Sequence, residues 1–135
     1  MNIITPSTSM RSRPNVNSLL ETECLYGESI EILEKYSDWI LCILKTDQYH
    51  GWIKNDSVGL LEKPSHRVIV KRTFVLENPN SKSNYFFYLP MGAQVAVNEL
   101  QSKWAKVYIT IKGRQRIGFI PSNHLVRVND KVKDW

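Results

Sequence analysis

Two thiols, three imidazoles and one cluster of cations are the side chains of this 135-residue sequence with chemistry to offer beyond packing. Cys24 lies in Glu-Cys-Leu-Tyr and Cys42 in Ile-Leu-Cys-Ile-Leu, apolar strand-like runs in which a thiol behaves as a small hydrophobe. Neither stands at a metal-ligand or redox spacing, and His50, His66 and His124 have no evident thiol partner to activate. Both cysteines are therefore expected to be reduced core residues, with no metal and no cofactor. The cations are Lys103, Lys106, Lys112, Arg114 and Arg116, interleaved with Trp104 and Tyr108. That mixture suits a phosphate backbone. A solvated basic loop is the commoner origin of such a run, however, and no dedicated nucleic-acid motif accompanies it, so nucleic acid is not the expected partner.

The background composition is that of a packed protein, 42% hydrophobic and 23% charged. The first ten residues lack a basic start followed by an apolar run, so neither a secretory signal nor a membrane span is expected and the chain reads as cytoplasmic. Charge is unevenly placed. Residues 1 to 62 hold 5 Lys or Arg against 9 Asp or Glu and residues 63 to 135 hold 13 against 4, giving halves of −4 and +9. Such asymmetry steers an acidic polymer to the second half or lets the halves attract each other or a further domain.

The elements that must position these residues are repeated. Pro14 and Pro79, Gly27 and Gly92, and Trp39 and Trp104 are pairs separated by the same 65 positions. Between them, Ser29-Ile30-Glu31-Ile32 lies over Gln94-Val95-Ala96-Val97 in strand-like alternation. Gly51-Trp52-Ile53 matches Gly118-Phe119-Ile120 at an offset of 67, which puts two extra residues in the loop around Lys112 to Gln115. Each copy is near the lower size limit for autonomous folding. Its runs are short, rich in β-branched and aromatic residues, and divided by turn formers. The expected fold is all-β, two tandem small β-barrels that hide their strand edges by curling, joined at Lys63-Pro64-Ser65. Trp39 and Trp104, at equivalent strand starts, are expected to serve packing rather than ligand stacking.

Pro14, Leu25-Tyr26-Gly27-Glu28, Trp39 and Asp47-Gln48-Tyr49-His50-Gly51-Trp52-Ile53 together resemble the first bacterial SH3 domain of NlpC/P60-type cysteine peptidases. The second copy extends the likeness through Ser65-His66-Arg67-Val68, Arg72-Thr73-Phe74-Val75, Met91-Gly92-Ala93 and His124-Leu125, which are similar to the second SH3-like domain of the enzymes that release dipeptides from peptidoglycan stem peptides. The resemblance implies an N-terminal tail over 1–8, a first SH3-like domain over 9–62, a second over 66–128, and a tail over 129–135 leading to a catalytic domain. That family's nucleophile lies in an Asp-Cys-Ser-Gly motif, which this sequence does not contain.

The resemblance further implies that Glu28 and Tyr49 recognise the free amine of a stem peptide, with Trp52 of the same motif as a third substrate-binding candidate. Carboxylate to ammonium pairing with a phenol hydrogen bond is sound chemistry for that task. The plain alternative makes Glu28 a solvated strand charge and Tyr49 a barrel-edge aromatic. The second copy has Ala93 where the Glu stands and Gln115-Arg116-Ile117 before its Gly. The expected function is a non-catalytic module that docks an NlpC/P60 catalytic domain in cis or in trans and shapes access for peptidoglycan-derived peptides, with no membrane partner. A free-standing murein-binding module and a basic nucleic-acid-binding small barrel are the alternatives.

Overall fold

The computed structural model describes residues 1–128, and the chain divides between Leu61 and Glu62 into two compact units. The first contains β1 (Asn2–Ile3), β2 (Ser7–Arg11), β3 (Leu20–Leu25), β4 (Ile30–Tyr36), β5 (Trp39–Leu44), β6 (Tyr49–Lys54), a 3-10 turn (Asn55–Ser57) and β7 (Val58–Gly59). The second contains β8 (His66–Val68), β9 (Arg72–Leu76), β10 (Tyr85–Pro90), β11 (Gln94–Leu100), β12 (Trp104–Ile111), β13 (Arg114–Pro121), a 3-10 turn (Ser122–His124) and β14 (Leu125–Arg127). The strands pair antiparallel throughout, and no α-helix occurs among the described residues. This is the all-β, SH3-like architecture expected from the short alternating runs.

Strand order makes the duplication explicit. In the second unit the sheet runs β10-β9-β13-β12-β11-β8-β14. The first runs β3-β2-β6-β5-β4, with β1 paired to β7 and joined to the start of β4 by a bridge between Asn2 and Ser29. Element for element the orders are the same. Irregularities are copied too: Leu33 in β4 and Asn98 in β11 sit at equivalent bulges, as do Glu21 in β3 and Phe86 in β10.

Alternation drives one face of each sheet inward. In the first unit Ile3, Met10, Cys24, Ile30, Ile40, Cys42, Leu44 and Ile53 form the core. Their counterparts Val68, Val75, Leu89, Val95, Ala105, Val107, Ile109 and Ile120 are all buried in the second. Even a polar tie recurs: the Ser57 hydroxyl donates to Thr8 Oγ1 at 2.9 Å, and the equivalent Thr73 Oγ1 lies 2.8 Å from His124 Nδ1. Gly27 and Gly92 hold matching turns at φ 88° and 95°, in the left-handed region that favours glycine.

Two boundaries differ from expectation. Residues 1–8 do not form a tail: Ile3 is fully buried, its amide donates to the Glu28 carbonyl at 3.0 Å, and the Ile30 amide donates to the Met1 carbonyl at 3.0 Å. The Ser/Thr-rich start concealed a single apolar residue that the small core requires. Ser65, assigned to the linker, is tied into the second unit, donating its amide to the Val95 carbonyl and accepting from the Val97 amide through Oγ. The expected tail over 129–135 lies outside the described residues.

Both cysteines are free and buried. Burial first, then the neighbouring Cys42, pushes the Cys24 thiol up to about 12, and burial pushes Cys42 up to about 11. Thiolate is the reactive form, so both are inert in the folded protein. Iodoacetamide at mildly alkaline pH should leave the native chain unmodified and add two labels in denaturant, as read by intact mass. Close packing supplies a second expectation. A Cβ on Gly51 would collide with the Met10 side chain and come within 2.9 Å of the Arg11 carbonyl oxygen, and one on Gly118 would collide with Val75. Gly51→Ala and Gly118→Ala should each lower unfolding stability by about 1–3 kcal/mol, measured by chemical denaturation.

Candidate functional site

The turn between β3 and β4 and the loop between β5 and β6 meet at one end of the first sheet. Register sets this up: Ile30 pairs with Leu44 and Leu44 pairs with Tyr49, so the residues just before Ile30, just after Leu44 and at the start of β6 share that end. Glu28 stands in the turn. Its Oε1 accepts from the Leu25 amide at 2.6 Å and its Oε2 accepts from the Thr46 hydroxyl at 3.1 Å. The Lys45 amide donates to the Ser29 carbonyl at 3.0 Å, and Gln48, at φ 59°, turns the loop into β6. The carboxylate thus ties two loops together instead of standing solvated.

Glu28 is half-buried, and loss of hydration raises its carboxyl above the ordinary 4.5. The Leu25 and Thr46 hydrogen bonds pull the other way, and the charge of Asp47 adds to the rise. A carboxylate in this state still has lone pairs uncommitted, and a cation brought beside it would offset the burial cost. Tyr49 is 45% exposed at the same end of the sheet, which leaves its phenol open to a ligand.

Trp52 is placed differently. In β6, Gly51 and Ile53 point to the core, so His50, Trp52 and Lys54 line the opposite face. There Trp52 pairs with Leu41 and with Arg11, and its ring meets Tyr36 edge-on at 6.5 Å. Glu28 and Tyr49 are therefore grouped at one end, whereas Trp52 belongs to the outer face of the sheet. Thr46 was not foreseen. Only its place in the loop before the Tyr49 motif hinted that it could reach the turn.

The other residues singled out by type serve the fold. Trp39 is buried, with the Lys54 ammonium 4.9 Å over its ring and Lys54 in turn paired with Asp38 at 3.2 Å. Trp104 is partly buried at the matching position. His66 Nδ1 lies 2.8 Å from Ser65 Oγ, and burial lowers the pKa of His124 below 6.5. Among the described residues no group of three or more His, Cys, Asp or Glu is arranged to hold a metal ion.

Comparison with known proteins agrees with this architecture. A family model described as the bacterial dipeptidyl-peptidase Sh3 domain matches residues 10–58. No curated protein matches the chain by sequence. Among solved structures, an NlpC/P60 family protein from Bacillus cereus ATCC 10987 is similar with a TM-score of 0.71 at 13% identity, covering 93% of this chain. This chain spans 55% of that protein's length. Residues 10–58 of the first unit are thus similar to the bacterial dipeptidyl-peptidase SH3 domain, and the chain as a whole shares the fold of part of an NlpC/P60 family protein.

Proposed function

We propose that the chain is a non-catalytic accessory module that docks an NlpC/P60 catalytic domain, in cis or in trans, and shapes access for peptides derived from peptidoglycan. The observation that carries this reading is the Glu28 carboxylate, half-buried and braced by Leu25 and Thr46 within the matched SH3 domain. A bracing network holds an anion in one place at one depth, which suits recognition of a single ammonium group. Tyr49 offers a phenol at the same end of the sheet. The second unit has Ala93 at the position of Glu28 and is a spacer or stabiliser in this scheme. The outer face bearing Trp52 and the exposed Tyr36 is the surface available to the catalytic domain.

The test combines this chain with an NlpC/P60 catalytic domain and compares cleavage of stem peptides having a free or an acetylated N-terminus. Glu28→Ala with Tyr49→Phe should reduce the preference for the free amine by roughly ten- to a hundredfold, the scale of a lost charge-assisted hydrogen bond. An unchanged preference would sink the assignment. A pH experiment checks the electrostatics independently. Glu28 has its folded-state pKa raised, so the folded chain takes up this proton before the unfolded one as pH falls toward 4.5. Stability of the natural sequence should therefore rise relative to Glu28→Gln as pH is lowered from 7 to 4.5, measured as the difference in denaturation midpoints. A flat difference would contradict burial as the dominant influence.

A further inference from the structure

The two oxygens of the Glu28 carboxylate are held by different kinds of donor. Oε1 accepts from the Leu25 amide at 2.6 Å in a part-buried contact, and Oε2 accepts from the Thr46 hydroxyl at 3.1 Å in an exposed one. A backbone N–H can only donate, and the unprotonated oxygen of a carboxyl group accepts better than the protonated one, so Leu25 keeps Oε1 free of a proton. A hydroxyl can rotate from donor to acceptor. A proton taken from solvent therefore belongs on Oε2, where the Thr46 hydroxyl turns to receive the new O–H and the two loops stay joined.

Oε2 is also the oxygen that a ligand can reach, because Thr46 and Tyr49 are exposed whereas the Leu25 contact lies under the turn. The titratable groups around the carboxyl come from three directions. The β3 side brings the Cys24 thiol, which is neutral, the β1 side brings the amino terminus of Met1, whose carbonyl accepts from the Ile30 amide, and the β5–β6 end brings Lys45, Asp47 and Tyr49. Burial first, and then the charge of Asp47, favours the protonated acid against the Leu25 and Thr46 hydrogen bonds. A proton and an ammonium group are both cations drawn to the same exposed lone pairs, so each excludes the other.

We infer, resting on the proposed recognition of a free amine, that the Glu28 site releases its peptide in acid: a proton on Oε2 displaces the peptide's ammonium group, and Thr46 accepts the hydrogen bond of the proton that arrives. The exchange balances. Solvent gives one proton to Oε2, the Thr46 O–H swings from Glu28 to water, and the ammonium group leaves with all of its own protons. Because one proton competes with one ligand, capture weakens about tenfold per pH unit once Glu28 is mostly protonated. At the other limit it ends when the peptide's own α-amine loses its proton, at about pH 8. The site therefore captures free-amine peptides within a window around neutrality, closed below by Glu28 and above by the ligand. The second unit, with Ala93 at this position, has no such response.

The experiment combines the full chain with an NlpC/P60 catalytic domain and follows kcat/KM for stem peptides with a free and an acetylated N-terminus from about pH 8 to about pH 4. The ratio of the two cancels the peptidase's own titration. In parallel, carbon-13 NMR of the chain follows the Glu28 carboxyl. The preference for the free amine should hold near neutrality and then fall about tenfold per pH unit below the midpoint at which Glu28 titrates, a midpoint above 4.5. Thr46→Val removes a donor from the ionised carboxylate and should raise both midpoints together, and Thr46→Ser should leave both in place. Glu28→Gln should give a low ratio below pH 7 that does not change with pH. A preference that persists after Glu28 is protonated overturns the inference and leaves the free-amine reading standing, as do unmoved midpoints in Thr46→Val. Equal cleavage of the two peptides near pH 7 overturns the free-amine reading itself, and acid release with it.

Discussion

Each unit depends on one close crossing, in which the second strand of the unit lies against a glycine in the sixth. In the first, Met10 occupies the space that a side chain on Gly51 would need, and in the second Val75 does the same against Gly118. The contact is where the hairpin of β2 and β3 joins the meander of β4, β5 and β6, through the pairing of Arg11 with Trp52. Phe119 and Leu76 make the corresponding join in the other copy. Without such an approach the hairpin and the meander would be two small sheets, each too thin to bury a core. Met10 and Val75 differ in shape, yet both fill the gap that glycine leaves, so the constraint concerns space and not a particular side chain.

With the crossing fixed, what varies is the end of the sheet. The turn that holds Glu28 in the first unit holds Ala93 in the second, and the loop that supplies Thr46 is replaced by a hairpin ending at Lys112 and Gly113, both with positive φ. Identical frameworks therefore present unlike chemistry: a braced carboxylate in one, guanidinium groups over aromatic rings in the other. This division matches the opposite charges of the two halves of the sequence.

The duplication was legible because glycine and tryptophan anchors recur at one offset, and each of the eight residues of the first unit's core cluster has a buried counterpart at that offset or two beyond. Glu28 and Tyr49 were legible as residues but not as a geometry. The hydrogen bond from Thr46 spans 18 positions and depends on how two loops meet, which no local pattern encodes. The placement of the β10 rings was hidden for a different reason. Tyr85-Phe86-Phe87-Tyr88-Leu89 reads as one apolar run, and the bulge at Phe86 breaks the two-residue period that would have assigned each ring to a side. Likewise Ile3 stands alone in a polar start, and a single residue has no periodicity to read.

The paired bulges have an evolutionary corollary. A residue that faces no counterpart across the ladder can be replaced without disturbing the pairing on either side of it. The two slots differ accordingly, Glu21 against Phe86 and Leu33 against Asn98, whereas the inward partners beside them, Met10 and Val75, and Cys42 and Val107, are apolar in both copies. Phe86 now seats Arg116 and Asn98 now receives the Tyr108 hydroxyl, so the freedom of an unpaired site became the raw material for new contacts on an inherited scaffold.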